Sequence, residues 1–246
     1  MNWRTHNTYL LERRGRGVLR TAHAGDSRAA GPNTLEAIRA ALAIKPDYIE
    51  LDVHLTRDGE LLLWHDEHII TPEGAFAIRE HPLSTLKRLP TPDGTVITLP
   101  RAIEELRGHC GAMIDLKAPH LEDALLEMLE RLNFDEAIVC GGYLDTLLTM
   151  KRARPTLAVS LTPDEVTYLN FRATLERLPE LDAMTVYWRT VDHRMLDAAH
   201  EIGVLLLAWT VDHLLVAEHL LKLGVDGLTS NNMNLLNASR GAVLSG

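Results

Sequence analysis

The segment DYIELDVHL (47–55) decides the reading of this chain. As a β-strand its side chains alternate, so Tyr48, Glu50, Asp52 and His54 share one face. Ile49, Leu51, Val53 and Leu55 share the other, which suits packing against helices. Two neighbouring carboxylates on one face repel, and burying them unpaired costs several kcal/mol or forces protonation. A divalent cation between them resolves the conflict. An edge strand with its polar face in water resolves it as well, and this segment alone leaves both readings open.

A second strand repeats the anomaly. In AMIDLK (112–117), Met113, Asp115 and Lys117 share a face, opposite Ile114 and Leu116. An Asp–Lys ion pair is the simpler account of that strand by itself. Together the two strands offer Glu50, Asp52 and Asp115 as oxygen ligands, a set that suits Mg²⁺ or Ca²⁺ better than Zn²⁺. His23 closes the strand VLRTAH (18–23) and His65 closes LLLWH (61–65). Strand ends are where a general acid or base reaches a bound substrate. His54 lies on the carboxylate face and is assigned no role, nor are the remaining histidines.

Outward from these segments, short apolar runs alternate with amphipathic ones. AIVCG (137–141), LAVSL (157–161), AMTVYW (183–188), LLLAWTV (205–211) and DGLT (226–229) read as further strands, nine in all. Helical periodicity falls between them, as in HLEDALLEMLERL (120–132), RMLDAAHEIG (194–203) and LLVAEHLLKLG (214–224). TLEAIRAALAI (34–44) reads as a helix with Asn33 as N-cap and Thr34 beside it. LTRDGELLLWH reads as a hairpin about Asp58-Gly59, which sets one strand apart from a core of eight. Eight strand–helix units imply a parallel (β/α)₈ TIM barrel, a single domain over residues 1–246. Residues 66–100, with five prolines, break the rhythm and read as an excursion from the barrel.

Composition narrows the function. Of 246 residues 46% are hydrophobic, and the formal net charge of -9 argues against nucleic acid as a partner. Cys110 and Cys140 form no ligand motif, and Cys140 reads as a small core residue. No stretch has the length of a signal peptide's apolar region or a membrane span, so a cytoplasmic protein without stable membrane insertion is expected. Arg13, Arg14, Arg16 and Arg20 read as a solvated N-terminal segment. Association into a homo-oligomer is left open.

AHAG (22–25), NTLEAI (33–38), YIELDVHLTRDGELLLWHDE (48–67), IDLK (114–117), LLLAWTVD (205–212) and GVDGLTS (224–230) together resemble the glycerophosphodiester phosphodiesterase family. The resemblance implies a barrel with a small inserted subdomain after the second strand, at roughly 53–110. It implies a small phosphodiester substrate, hydrolysed to sn-glycerol 3-phosphate and an alcohol with one divalent metal. It places Glu50, Asp52 and Asp115 on the metal, His23 and His65 as the acid/base pair, Lys117 on a phosphate oxygen and Trp209 in the pocket wall. The nucleophile is either water or the substrate's own glycerol 2-hydroxyl.

Four positions depart from the family pattern. Ala24 stands where His-Arg-Gly has its arginine, and Arg28 in the same loop is the candidate replacement. Pro32 replaces a glutamate before Asn-Thr. Asp115 is shorter than the usual third-ligand glutamate and resembles the related sphingomyelinase D group, although that group lacks the DGELLLWHDE block. Thr229, Ser230, Asn231 and Asn232 replace the Thr-Asp-x-Pro ending. Two rivals follow: a non-catalytic binder of phosphorylated glycerol compounds, favoured by the lost arginine, and a lyase acting on choline phospholipids. An exposed apolar lip at the barrel mouth would support the lyase, and the insertion offers no clear one.

Overall fold

The computed structural model describes residues 2–92 and 94–240. It contains the strands β1 (Leu19–Ala22), β2 (Tyr48–Leu55), β3 (Leu61–Leu63), β4 (His68–Thr71), β5 (Gly74–Ala77), β6 (Gly111–Leu116), β7 (Ala137–Gly141), β8 (Ala158–Leu161), β9 (Ala183–Tyr187), β10 (Leu205–Trp209) and β11 (Gly227–Ser230). The order β1-β11-β10-β9-β8-β7-β6-β2, with β1 pairing back onto β2, is a closed barrel of eight strands. Every pairing around it is parallel. The ninth expected strand, β3, pairs antiparallel with β2, Leu55 opposite Leu61. Gly59 takes the positive φ of 83° that this hairpin turn needs.

Strand alternation divides the core in two. Ile49, Leu51, Val53, Ile114, Val139 and Leu206 face outward into the layer covered by helices. Leu19, Tyr48, Met113, Ile138, Ala158, Ala183, Leu205 and Leu207 fill the barrel interior. Helices close as the glycines suggest: Gly203 and Gly224 cap His193–Ile202 and Leu214–Leu223 in the left-handed conformation. Between β3 and the helix Leu99–Leu106 the chain builds the β4–β5 hairpin and two short helical turns over an apolar cluster of Leu62, Ile69, Ile78, Leu86 and Val96. No described helix is long and apolar enough to cross a membrane.

Two local expectations are corrected. Thr34, not Asn33, caps the helix Leu35–Leu42, its hydroxyl accepting from Ala37 N–H. Asn33 has φ 59° and turns its amide elsewhere. The arginine-rich N-terminus is not a solvated tail. Residues Thr8–Gly15 form a helix whose Leu10 is fully buried in the barrel interior, flooring the barrel's N-terminal end. Arg14 reaches Asp226 at 2.9 Å, Arg13 lies over the Tyr9 ring, and Arg20 pairs with Asp47 at 3.3 Å.

That floor repeats one device. Asp47, Asp182 and Asp226 each immediately precede a barrel strand, and each accepts an N–H from the adjacent strand: Arg20, Val159 and Leu206 respectively. Each has a cation beside it: Arg20, Lys151 and Arg14. Lys151 is the most enclosed, donating to both Asp182 oxygens at 2.9 and 2.8 Å and to Leu157 O at 2.9 Å. Replacing one partner strands a buried charge, at a cost of ~3–5 kcal/mol. Lys151→Met should therefore lower Tm by on the order of 10 °C, at about 2–4 °C per kcal/mol for a chain of this size. Adding Asp182→Asn should recover part of the loss, because the amide oxygen still accepts from Val159 N–H. Thermal unfolding followed by circular dichroism checks both.

Candidate active site

The opposite, C-terminal end of the barrel holds carboxylates without matching cations. β2 pairs with β6 so that Asp52 lies beside Asp115 and Glu50 beside Met113. Glu50 is 5% exposed and Asp52 2% exposed. Ligand oxygens of Glu50, Asp52 and Asp115 all lie within 4.8 Å of one another. Lys117 Nζ sits 2.9 Å from Asp52 Oδ1 and 2.5 Å from Asp115 Oδ2. The edge-strand reading of 47–55 is thereby excluded.

Each carboxylate is also held from behind. Ala24, at φ 52°, donates its N–H to Glu50 Oε2 at 3.0 Å. Asn33 Nδ2 donates to Asp52 Oδ2 at 2.7 Å, and Asp52 N–H donates back to Asn33 Oδ1. The Cys140 thiol donates to Asp115 Oδ1 at 3.7 Å. Asp52 Oδ1 is buried and has no partner besides the Lys117 ammonium at 2.9 Å. Burial, then the charges of Asp52 and Asp115, push the Glu50 carboxyl well above the usual carboxylate range. Burial also raises Asp115, against the pull of Lys117. Burial works against Asp52 as well, but Lys117 and Asn33 outweigh it and hold its carboxyl low. Fully ionised, three carboxylates beside one ammonium would carry two uncompensated negative charges, and the raised Glu50 and Asp115 carboxyls express that repulsion. An oxygen-only donor set, three carboxylates within 4.8 Å of one another beside a single ammonium, fits a divalent cation.

A cavity of about 280 Å³ opens onto this cluster, and His23, His65, Lys117, Trp209, Thr185 and Gly141 are among its walls. Of the residues singled out in the sequence, Asp52 and Arg28 are missing from these walls: Asp52 is buried against Lys117, whereas Arg28 is exposed and its N–H donates to Asp26. His54 lines a separate hollow under the insertion, where its Nε2 meets the His65 carbonyl at 3.3 Å. Burial lowers its pKa, which keeps it neutral.

Both cavity histidines are anchored through Nδ1. His65 Nδ1 is 2.7 Å from Asp66 Oδ1. His23 Nδ1 is 2.8 Å from Asn231 Oδ1, and its Nε2 lies 3.9 Å from Glu50 Oε2. Asn231 is fixed in turn by Asp212: its side-chain amide and its backbone N–H each donate to that carboxylate at 2.8 Å. Ser230 Oγ adds a third bond at 3.0 Å. Burial works against ionisation of Asp212, but these hydrogen bonds prevail and hold its carboxyl below the usual range. An ionised Asp212 keeps the amide nitrogen of Asn231 toward itself, so the oxygen faces His23. His23 therefore carries its proton on Nδ1 and presents a free Nε2 lone pair to the cavity.

Sequence reasoning missed Asn33, Asp212 and Asn231 as supports of this site. Asn33 was visible in NTLEAI but matched a helix cap, and Asp212 and Asn231 stand 19 residues apart on adjacent connections. Their signal was the polar run Thr229–Asn232 directly after an apolar strand.

The model of the glycerophosphoryl diester phosphodiesterase family matches residues 23–235. A glycerophosphodiester phosphodiesterase from Caldanaerobacter subterraneus subsp. tengcongensis is 27% identical over 87% of this chain and 94% of its own length. One from Bacillus subtilis is 24% identical over 89% and 85%. Among solved structures, the glycerophosphodiester phosphodiesterase of Thermotoga maritima superposes with a TM-score of 0.80 at 24% identity, covering 91% of this chain and 98% of its own. A phosphodiesterase of Oleispira antarctica, solved with the product sn-glycerol-3-phosphate, gives 0.79 at 22% identity over 90% and 96%.

The donor set predicts linkage between ion and stability. Millimolar Mg²⁺ or Ca²⁺ should raise Tm, since a ligand at about 100 times its Kd adds ~2.7 kcal/mol. Glu50→Gln keeps an acceptor for Ala24 N–H and replaces a carboxyl whose ionisation burial and its neighbours oppose. Its Tm without added ion should equal or exceed that of the unchanged protein, while the ion-induced rise disappears. Because Glu50 is protonated well above the usual carboxylate range, cation binding displaces a proton, and the Kd should tighten as pH rises. Calorimetric titration in buffers of different ionisation enthalpy measures that release.

Proposed function

This chain belongs to the glycerophosphoryl diester phosphodiesterase family, and we propose that it hydrolyses glycerophosphodiesters to sn-glycerol 3-phosphate and an alcohol, with one divalent cation and two histidines exchanging protons. The observation that carries this reading is a single cavity lined by Glu50, Asp115, Lys117 and two histidines, with Asp52 clustered against both carboxylates and each histidine anchored at Nδ1. Glu50, Asp52 and Asp115 would hold Mg²⁺ or Ca²⁺, which when bound draws charge off a phosphoryl oxygen. Lys117, tied to two of those carboxylates, supplies the second positive charge facing the substrate's phosphate. Trp209, its indole N–H donating to Thr185 O at 3.1 Å, is a rigid wall for the organic part of the substrate.

Proton transfer falls to the imidazoles. The attacking oxygen must lose a proton and the departing alkoxide must gain one. His23 Nε2, with its lone pair set by Asn231, accepts; His65, also in the cavity wall, donates through the nitrogen that Asp66 leaves free. Retention of both rings speaks against the non-catalytic rival, because a binding site for a phosphate ester has no use for two oriented proton carriers. Arg28 is not needed in this account; Lys117 and the bound cation carry the anionic charge that the arginine at position 24 otherwise shares.

On glycerophosphocholine with Mg²⁺ or Ca²⁺, His23→Ala and His65→Ala should each lose about 10²–10⁴-fold in kcat, and the double variant little more. Chelation should abolish turnover reversibly; full activity after chelation would remove the cation from the reaction. The support behind His23 has its own signature. Asp212→Asn frees the Asn231 amide to turn over, so kcat should fall about tenfold or more with KM little changed. Adding Asn231→Asp restores a carboxylate oxygen for His23 Nδ1–H and an amide donor for that carboxylate, and kcat should recover. A single variant as active as the parent would show that the orientation of His23 does not depend on Asp212.

A further inference from the structure

Six large apolar side chains stand in solvent among the described residues: Ile70, Val166, Leu169, Tyr187, Leu214 and Leu215. Five of them are gathered on one arc of the catalytic end. Val166 and Leu169, 66% and 85% exposed, lie on the helix Glu165–Leu169 that follows β8. Tyr187 is the last residue of β9. Leu214 and Leu215, 54% and 78% exposed, open the helix that follows β10. β8, β9 and β10 are neighbours in the barrel, so these residues form one lip, on connections distinct from the insertion.

The lip is continuous with the catalytic cavity. Trp209, at the end of β10, lines the cavity, and its ring lies 5.9 Å from that of Tyr187. Tyr187 N–H donates to the Tyr168 hydroxyl at 2.8 Å, which brings the helix carrying Leu169 alongside. Beyond Leu169 a groove of about 450 Å³ runs past Tyr168, Phe171, Met195 and Ala198, with Arg172 and Arg194 at its margins. From the phosphate-facing cavity a path through Trp209, Tyr187 and Tyr168, in successive contact, thus leads to an open groove whose apolar side chains stand among Arg172, Thr190, Asp192 and Arg194. A small polar phosphodiester, held within about 280 Å³, touches none of its outer part. Exposed apolar patches beside a ligand site mark a binding surface.

We propose that this path takes the hydrocarbon chain of a single-chain glycerophosphodiester, a lysophospholipid, whose phosphate occupies the catalytic cavity. The inference rests on the reading of that cavity as a phosphodiester site. The chemistry is unchanged: water adds its oxygen to phosphorus, the bond from phosphorus to the head-group oxygen breaks, and the head-group alkoxide takes the proton. The products are a monoacylglycerol 3-phosphate and the free alcohol. The chain changes affinity only, since each methylene laid fully on apolar surface is worth up to about fourfold.

The test compares lysophosphatidylcholine of medium chain length, kept below its critical micelle concentration, with glycerophosphocholine. The unchanged protein should show a KM at least about tenfold lower for the chain-bearing substrate. Leu169→Glu combined with Leu215→Glu should erase that preference and leave turnover of glycerophosphocholine and the Tm as they were. Equal KM values for the two substrates in the unchanged protein would overturn the proposal while leaving the phosphodiesterase reading intact. A preference that appears only above the micelle concentration would assign the lip to docking on a lipid surface and overturn the proposal. So would a dimer, seen by sedimentation, that the double variant dissociates with the preference kept. If neither substrate is turned over, binding of dodecylphosphocholine monomers decides. Binding at least tenfold tighter than glycerophosphocholine, lost in the double variant, keeps the chain site and discards the hydrolase; equal binding discards both.

Discussion

Three carboxylates that repel one another at the top of the barrel are the constraint from which the rest of the site follows. Glu50 and Asp52 share a strand face, and the register of β2 against β6 brings Asp115 beside Asp52. Lys117 compensates one charge of the three. The same residue type is treated differently at the bottom, where Asp47, Asp182 and Asp226 each have a cation of their own. A fold that neutralises its structural carboxylates singly and gathers three carboxylates around one lysine at the other end offers there a place that suits a cation. Stability is arranged at one end of the strands and reactivity at the other.

Rigidity at the reactive end comes from backbone and amides more than from packing. Ala24 and Asn33 both have positive φ, a conformation uncommon outside glycine, and each uses it to aim a donor at a carboxylate. The Asn33 N–H also donates to Ala24 O, so the two donors are fixed relative to each other. Ala24 is 2% exposed, which leaves little room for a long side chain without movement of this loop. The departure from an arginine at this position is thus accommodated by a tight β1 connection whose main chain has become part of the carboxylate support.

Much of this was legible in the sequence because strand alternation translates directly into inside and outside. DYIELDVHL and AMIDLK group the three carboxylates and the lysine on one face of each strand, the structure turns that face inward, and all nine expected strands are present. The parts that were not legible depend on contacts remote in sequence. The helix Thr8–Gly15 buries a single residue, Leu10, and its arginines find partners as far away as Asp226, so its composition looks like that of a solvated tail. Asn33 beside Thr34 offers two equivalent caps, and only the position of Asp52 decides between them. The β4–β5 hairpin is too short, and too crowded by prolines, to show a period. The apolar lip was sought in the insertion, whereas the residues that form it come from three connections that each contribute one or two side chains.

The helix that floors the barrel also fixes an order of assembly. Arg14 binds an aspartate 212 residues further along the chain, and Asn7 reaches the carbonyls of Asp135 and Thr156, 128 and 149 residues away. A helix of eight residues with one buried side chain has little stability by itself. It therefore acquires its structure only when β11 has joined β1 and the ring of strands is complete. Residues made early dock late, and the seam between first and last strands is sealed from below by a piece that waited for the whole chain. Contacts of such sequence separation slow folding, and they tie the barrel's floor to both its first and its last strand.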